Sequence, residues 1–221
     1  MKNLPILAEK IHLAFEARTQ ARDRALAQAR QLTRHAAHAI RAIHREEHDI
    51  AYDHLRQARE LVDALQSDLK PFPELYYAGY TQDAIKEFAE ASITCALIEN
   101  QPMPTPEDLQ VEVATYINGL AETVGELRRR CLDILRQGYN NESERLLTAM
   151  DDIYATLVTM DYPDAVTSGL RRQTDVVRAI LERTRGDLTI SLREQHLEQA
   201  MQTFSERLAQ AQRANADDTR L

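Results

Sequence analysis

Four glutamates stand at spacings that could make them act together. Glu87 and Glu90 are three residues apart, and Glu122 and Glu126 are four apart. On a helix the members of each pair share a face, where like charges repel unless a cation lies between them. A buried carboxylate must be paired, metal-bound or protonated. Ligands offering only oxygen favour Mg²⁺ or Mn²⁺ over Zn²⁺. An ion held there would acidify a bound water and stabilise charge on a phosphate, which suits phosphodiester hydrolysis. Taken singly, each pair is equally readable as a solvated acidic face or as partners for arginine. A di-iron carboxylate bundle is disfavoured, because it wants Glu-x-x-His twice and neither pair is followed by that histidine.

A second constellation is basic. Arg30, Arg34, Arg41 and Arg45 are spaced four, seven and four residues apart, flanked by His44 and His48, with no acid between Arg24 and Arg45. On a helix they fall within a band of ~60°. Such a run can be a solvated face. Being one-signed and in register over about four turns, it also has the form of a track for a phosphate backbone. No aromatic residue interrupts it to stack bases, so strong sequence readout is not implied.

The elements that must carry these residues are helices. The spacing predicts a first helix from about Leu4 to His44, with an apolar side of Phe15, Leu26, Ala29, Leu32, Ala36, Ile40 and Ile43. A second, about Glu46–Leu69, carries Ile50, Leu55, Leu61, Val62 and Leu65 and is stopped by Lys-Pro-Phe-Pro at 70–73. A third spans about Glu74–Glu99, and its run from Ala89 is apolar or small on nearly every side, as in an internal helix. After the loop Gln-Pro-Met-Pro-Thr-Pro, a fourth runs from about Pro106 to Gln137 and closes at Gly138, with a core stripe of Val113, Tyr116, Ile117, Leu120, Val124, Leu127, Cys131 and Ile134. Gly119 and Gly125 inside this helix imply close approach by a neighbour, since a mid-helix glycine costs about 1 kcal/mol against alanine. A fifth covers about Asn141–Met160. A sixth starts near Ala165, with Asp161 or Asp164 as its cap, and passes residue 205, kinking near Gly186. Arg171, Asp175, Arg178, Glu182 and Arg185 along it form a ladder of helical ion pairs or a subunit seam. The expectation is therefore an all-α bundle or superhelix of about six to seven long antiparallel helices, one domain over 1–213 with a frayed polar tail at 214–221.

Composition agrees. The chain has 221 residues, 43% hydrophobic and 28% charged, with only six glycines, seven prolines and no tryptophan. Turn signals are too few for a sandwich or barrel, and the apolar content is too high for a disordered chain. The net charge of −8 argues against a general basic coat for nucleic acid. Yet residues 17–45 alone carry +6, with seven arginines and one acid, so the remainder carries −14. Cys95 and Cys131 sit in apolar patterns without a Cys-x-x-Cys motif and read as buried thiols. No membrane span is expected, because the longest charge-free apolar stretch mid-chain is Ala91–Ile98. The N-terminus has no apolar core of a signal peptide. A cytoplasmic location is the expectation.

The segment Tyr116-Ile-Asn-Gly-Leu-Ala-Glu-Thr-Val-Gly-Glu-Leu-Arg-Arg130, continued by Asp133-Ile-Leu-Arg-Gln-Gly138, resembles the signature helix of the translin family. It is closer to the catalytic branch, translin-associated factor X, than to translin itself. Lys86-Glu-Phe-Ala-Glu-Ala91 resembles that branch's Glu-x-x-Glu segment, and Arg22-Asp-Arg…Arg30…Arg34…Ile43-His-Arg45 is similar to the family's basic N-terminal helix. The resemblance implies an α-superhelical fold and a closed homo-oligomeric shell of about eight subunits. It also implies binding of single-stranded RNA, or single-stranded DNA, inside that shell. It further implies a Mg²⁺-dependent endoribonuclease whose acids map onto Glu87, Glu90, Glu122 and Glu126. Position 122 departs from the branch, which has Asp there. Two other readings stand beside the nuclease: a non-catalytic shell that binds single strands, and a purely structural helical oligomer.

Overall fold

The long amphipathic runs form long helices. The computed structural model describes residues 3–218, with side chains to residue 212. The elements are α1 (Leu4–His44), α2 (His48–Asp68), α3 (Pro73–Tyr76), α4 (Gly79–Ile98), α5 (Pro106–Leu109), α6 (Val113–Leu135), α7 (Asn141–Leu157), α8 (Asp164–Thr167) and α9 (Leu170–Asp218). Among the described residues there is no strand; six helices are long and three are single turns.

Helices α4 and α6 form the middle. α4 packs on α1 and α6, and α6 packs on α4, α7 and α9, while α1 pairs with α2. Every residue from Ala91 to Ala96 is buried, so α4 is internal, as its composition requires. One continuous core draws on Leu32 and Ile43 of α1, Val62 and Leu65 of α2, Ile85 and Phe88 of α4, Val124 and Leu127 of α6, Met150 of α7 and Leu181 of α9. Cys95 and Cys131 are buried and free, and burial pushes both thiols up to about 12.

Two helices expected to be continuous are broken. The helix expected over Glu74–Glu99 divides into α3 and α4. Thr81 Oγ1 donates to the Leu75 carbonyl and Gln82 Nε2 to the Tyr76 carbonyl, so side chains take acceptors that a continuing helix would use. The helix expected from Pro106 divides at Gln110, which adopts a left-handed φ of 50°. Before it, Thr105 and Asp108 close a capping box around the single turn α5.

The start of the last helix also differs. Neither Asp161 nor Asp164 caps by its side chain: Pro163 is the N-cap of α8, Asp164 is that turn's first residue, and Asp161 accepts from Arg171 at 3.0 Å. The chain turns again at Ser168 and Gly169, both at positive φ, before α9 begins. α9 passes Gly186 without interruption and continues through 214–218; residues 219–221 lie outside the described residues. Its expected ion-pair ladder is reduced to one rung, Arg185–Glu182 at 3.0 Å, because Arg185 also reaches Asp151 of α7 and Arg171 reaches Asp161.

Three residues assigned to the core from periodicity are exposed: Phe15 (59%), Ile50 (51%) and Val113 (68%). Phe15 lies where α1 projects past the body, since residues 3–20 are exposed throughout. Ile50 and Val113 stand in the first turns of α2 and α6, at their ends. No described helix is long and apolar enough to cross a membrane.

Candidate metal centre

The site begins with a missing side chain. A Cβ placed on Gly119 of α6 would lie 2.9 Å from the Lys86 carbonyl oxygen and 3.1 Å from both the Ala89 Cβ and the Glu90 nitrogen of α4. Glycine at 119 thus lets the backbone of α6 rest on that of α4 at the turn that carries Glu87 and Glu90. Close approach by a helix is what this glycine serves. Gly125 is different: nothing lies within 4 Å of a Cβ there, so no close approach explains it.

One turn beyond this contact is Glu122. Carboxylate oxygens of Glu87, Glu90 and Glu122 lie within 4.8 Å of one another, all three side chains half-buried. Burial, then the charges of Glu122 and Glu87, push the Glu90 carboxyl up to about 8. Burial and the Glu122 charge raise Glu87 as well. Lys86 Nζ stands 2.7 Å from Glu122 Oε1, and Gln173 Nε2 of α9 donates to the same oxygen at 3.0 Å. Burial alone would lower the lysine, but the hydrogen bond and charge of Glu122 outweigh it, and its pKa is raised. The centre is thus three acids with one ammonium at its edge, a set in which like charges are incompletely balanced.

Glu126 falls outside that group of three. His44 Nε2 donates to Glu126 Oε2 at 2.6 Å, and Arg129 Nη1 approaches the same oxygen at 3.5 Å. The histidine's hydrogen bond, working against burial, holds the Glu126 carboxyl below its ordinary value. The physical reason for the separation is pairing: two partners from α1 and α6 claim this carboxylate. It still lies near enough for its charge to raise Glu90. The His44 side chain is 2% exposed, and its Nδ1 has no hydrogen-bond partner among the described residues.

Arg30, Arg34 and Arg41 on α1 and Arg45, its C-cap, are all exposed, and none takes part in an ion pair among the described residues. The band meets the acids at its Arg30 end. Arg30 and Glu87 line one cleft of about 260 Å³ between α1 and α4, together with Asp83 and Tyr80.

Lys86, His44 and Gln173, which spacing did not single out, contact the acids. Lys86 was legible, because it adjoins Glu87 and is one of only four lysines. His44 was legible only as a flank of the arginine band and Gln173 not at all; they reach the acids from other helices, across 82 and 51 residues of chain.

Similarity to known proteins accords with this arrangement. The Translin family model matches residues 20–185, and the chain belongs to that family. An uncharacterised protein of Methanocaldococcus jannaschii is 36% identical over 169 residues, covering 76% of this chain and 74% of the relative. The structure of AfC3PO in complex with duplex RNA superposes with a TM-score of 0.78 at 32% identity, covering 83% of this chain and 95% of that one. The crystal structure of apo-NeC3PO gives 0.75 at 19% identity, covering 86% and 98%, a likeness of fold. The all-α fold is thus the translin fold.

Proposed function

We propose that this chain is a divalent-metal-dependent endoribonuclease of the translin-associated factor X type, cutting single-stranded RNA inside a closed homo-oligomer of about eight copies. Single-stranded DNA is a second ligand of the same track. The observation that carries the reading is the convergence of Glu87, Glu90 and Glu122 within 4.8 Å beside an arginine band free of ion pairs. The donors fit a hard dication: all are carboxylate oxygens, and Glu90 is pushed up to about 8 by burial and then by the charges of Glu122 and Glu87. Glu87, Glu90 and Glu122 would hold Mg²⁺ or Mn²⁺, with Glu126 at the border of the set. When bound, such an ion lowers the pKa of a water and offsets charge on a phosphate.

The chain's own residues do the positioning. Arg30, Arg34, Arg41 and Arg45 seat the phosphate backbone along α1, and the shared cleft brings the Arg30 end to Glu87. His44 and Arg129 keep Glu126 ionised and fixed, so that it can orient the attacking water. Lys86 and Gln173 fix Glu122. Glu122 in place of the branch's Asp extends the carboxylate by about one bond. The related AfC3PO was solved with duplex RNA, so duplex belongs in the test.

End-labelled single-stranded RNA, duplex RNA and single-stranded DNA are incubated with the protein in Mg²⁺, Mn²⁺ or EDTA. Cleavage of the RNA single strand requires the metal and falls at least about a hundredfold in Glu90→Gln and Glu122→Gln. Equal cleavage in EDTA, or cleavage unchanged by both substitutions, removes the nuclease reading. One observation favours a passive container instead: Lys86 already neutralises Glu122. Binding that survives the same substitutions, without cleavage under any metal, selects that reading.

A further inference from the structure

One aromatic ring does stand within the arginine band: the imidazole of His38. It follows Arg34 by four residues and precedes Arg41 by three, so the three side chains share one face of α1. Along the helix axis it lies about 6 Å from Arg34 and about 4.5 Å from Arg41. His38 is exposed, and no side-chain hydrogen bond engages its ring among the described residues. A stack of rings already leads up to it. Its centroid is 5.0 Å from that of His54 on α2, with 35° between the planes, and the His54 centroid is 5.2 Å from that of His35. These separations are those of offset and tilted aromatic pairs. His35 and His54 are half-buried and joined by a hydrogen bond of 3.1 Å between their Nδ1 atoms, which fixes the supporting ring. His38 is left as the outermost ring, without a polar partner, between two arginines that have no ion pair.

We propose that His38 stacks on an unpaired base of the strand whose phosphates Arg34 and Arg41 seat, and so makes the track prefer single strands to duplex. The inference rests on the reading of the arginine band as a phosphate track. Imidazole is among the side chains on which splayed-out bases stack. Every base has a face to offer, so the contact is tolerant of sequence. Within a duplex each base is already stacked between its neighbours, and only phosphates can meet the band. Desolvation, then the charges of Arg41, His35 and Arg34, hold the His38 pKa below its ordinary value. At neutral pH the ring therefore offers a face and adds no charge to the track. The arginines bind either form of nucleic acid, and the ring discriminates between them.

The test measures binding by the full chain in EDTA, where cleavage does not compete. The probes are a short RNA single strand, the same strand with abasic nucleotides through its middle, and its duplex. His38→Ala, at an exposed position where folding is not at stake, weakens the intact single strand at least about fivefold. It leaves the abasic strand and the duplex within about twofold of wild type, with the salt slope unchanged. His38→Phe, which keeps a stacking face, restores the affinity. 2-Aminopurine in the single strand is quenched on binding by wild type and by His38→Phe, and not by His38→Ala. Arg34→Ala weakens all three probes and lowers the slope. Equal losses for single strand and duplex in His38→Ala overturn the stacking role. So does no loss in His38→Ala while Arg34→Ala still weakens binding, a result that leaves the phosphate track standing. A wild type that binds none of the probes removes the track, and this inference with it.

Discussion

The Gly119 Cα hydrogen takes the place of a methyl group that would fall 2.9 Å from the Lys86 carbonyl oxygen. This contact between α6 and α4 sets the distance between Glu122 and the pair Glu87 and Glu90, one turn away. Gly119→Ala therefore has two opposed effects. It gains up to about 1 kcal/mol of helix propensity and incurs about 1–3 kcal/mol of overpacking against backbone that cannot yield. The net is a lower melting temperature, with Mn²⁺ affinity reduced at least about tenfold because the acids are spread. Gly125→Ala is the control: with open space at its Cβ it is stabilised by up to about 1 kcal/mol, and its metal affinity is unchanged. Thermal melts with and without Mn²⁺ read both.

The His44 side chain is 2% exposed and donates to Glu126 at 2.6 Å. His44→Ala removes the donor and opens a cavity beside a carboxylate that loses its main partner. The expected cost is about 1–3 kcal/mol of stability, measured by denaturant unfolding. Because the hydrogen bond holds the Glu126 carboxyl low, it stabilises the wild type above the ordinary carboxyl range and ceases to do so as acid protonates Glu126. The stability difference between wild type and His44→Ala therefore shrinks as the pH falls below the ordinary carboxyl range. A difference independent of pH would mean that only packing was lost.

Glu90 gives the opposite pH dependence. Its folded carboxyl ionises near 8 against an ordinary 4.5. Between those values the unfolded chain has released a proton that the folded chain retains. The metal-free protein accordingly loses stability as pH rises through that window. A dication displaces the proton, so Mn²⁺ uptake near neutral pH releases close to one proton, and affinity rises by up to about tenfold per pH unit until about pH 8. Calorimetry in buffers of different ionisation enthalpy counts the proton. In Glu90→Gln the count falls towards zero, leaving only the smaller part contributed by the raised Glu87.

The arginine band makes a prediction about salt. Each phosphate contact to a single strand contributes about 0.7 to the slope of log affinity against log salt concentration. Arg34→Ala and Arg41→Ala each lower the slope by about that amount and together by about twice it, whatever the RNA sequence. Filter binding between low and moderate salt measures this. A slope unchanged by the double substitution would show that the strand lies elsewhere.

Much of this molecule was legible in its sequence because helices advertise themselves by period. α1 runs over Leu4–His44, the span read from the pattern of alanine, leucine and isoleucine, and the internal character of α4 followed from its charge-free run. The breaks at Tyr77–Ala78 and Gln110 were not legible. They depend on Thr81 and Gln82 side chains capturing carbonyls and on a left-handed glutamine, and neither is a glycine or proline signal. At the candidate site, spacing singled out four acids, of which the structure brings Glu87, Glu90 and Glu122 together, and the arginine band. It could not tell that Glu126 would be claimed by His44 from a helix 82 residues away, nor that Gln173 would join Glu122. Periodicity also placed Phe15 in the core, because an amphipathic stripe does not reveal whether it meets its own chain.

Crystals grown without metal and soaked in Mn²⁺, with data collected at an energy where manganese scatters anomalously, address the central claim most directly. An anomalous peak bonded to oxygens of Glu87, Glu90 and Glu122, lost in Glu122→Gln, is the predicted result. A peak elsewhere on the chain, or none between these three residues at millimolar Mn²⁺, contradicts it.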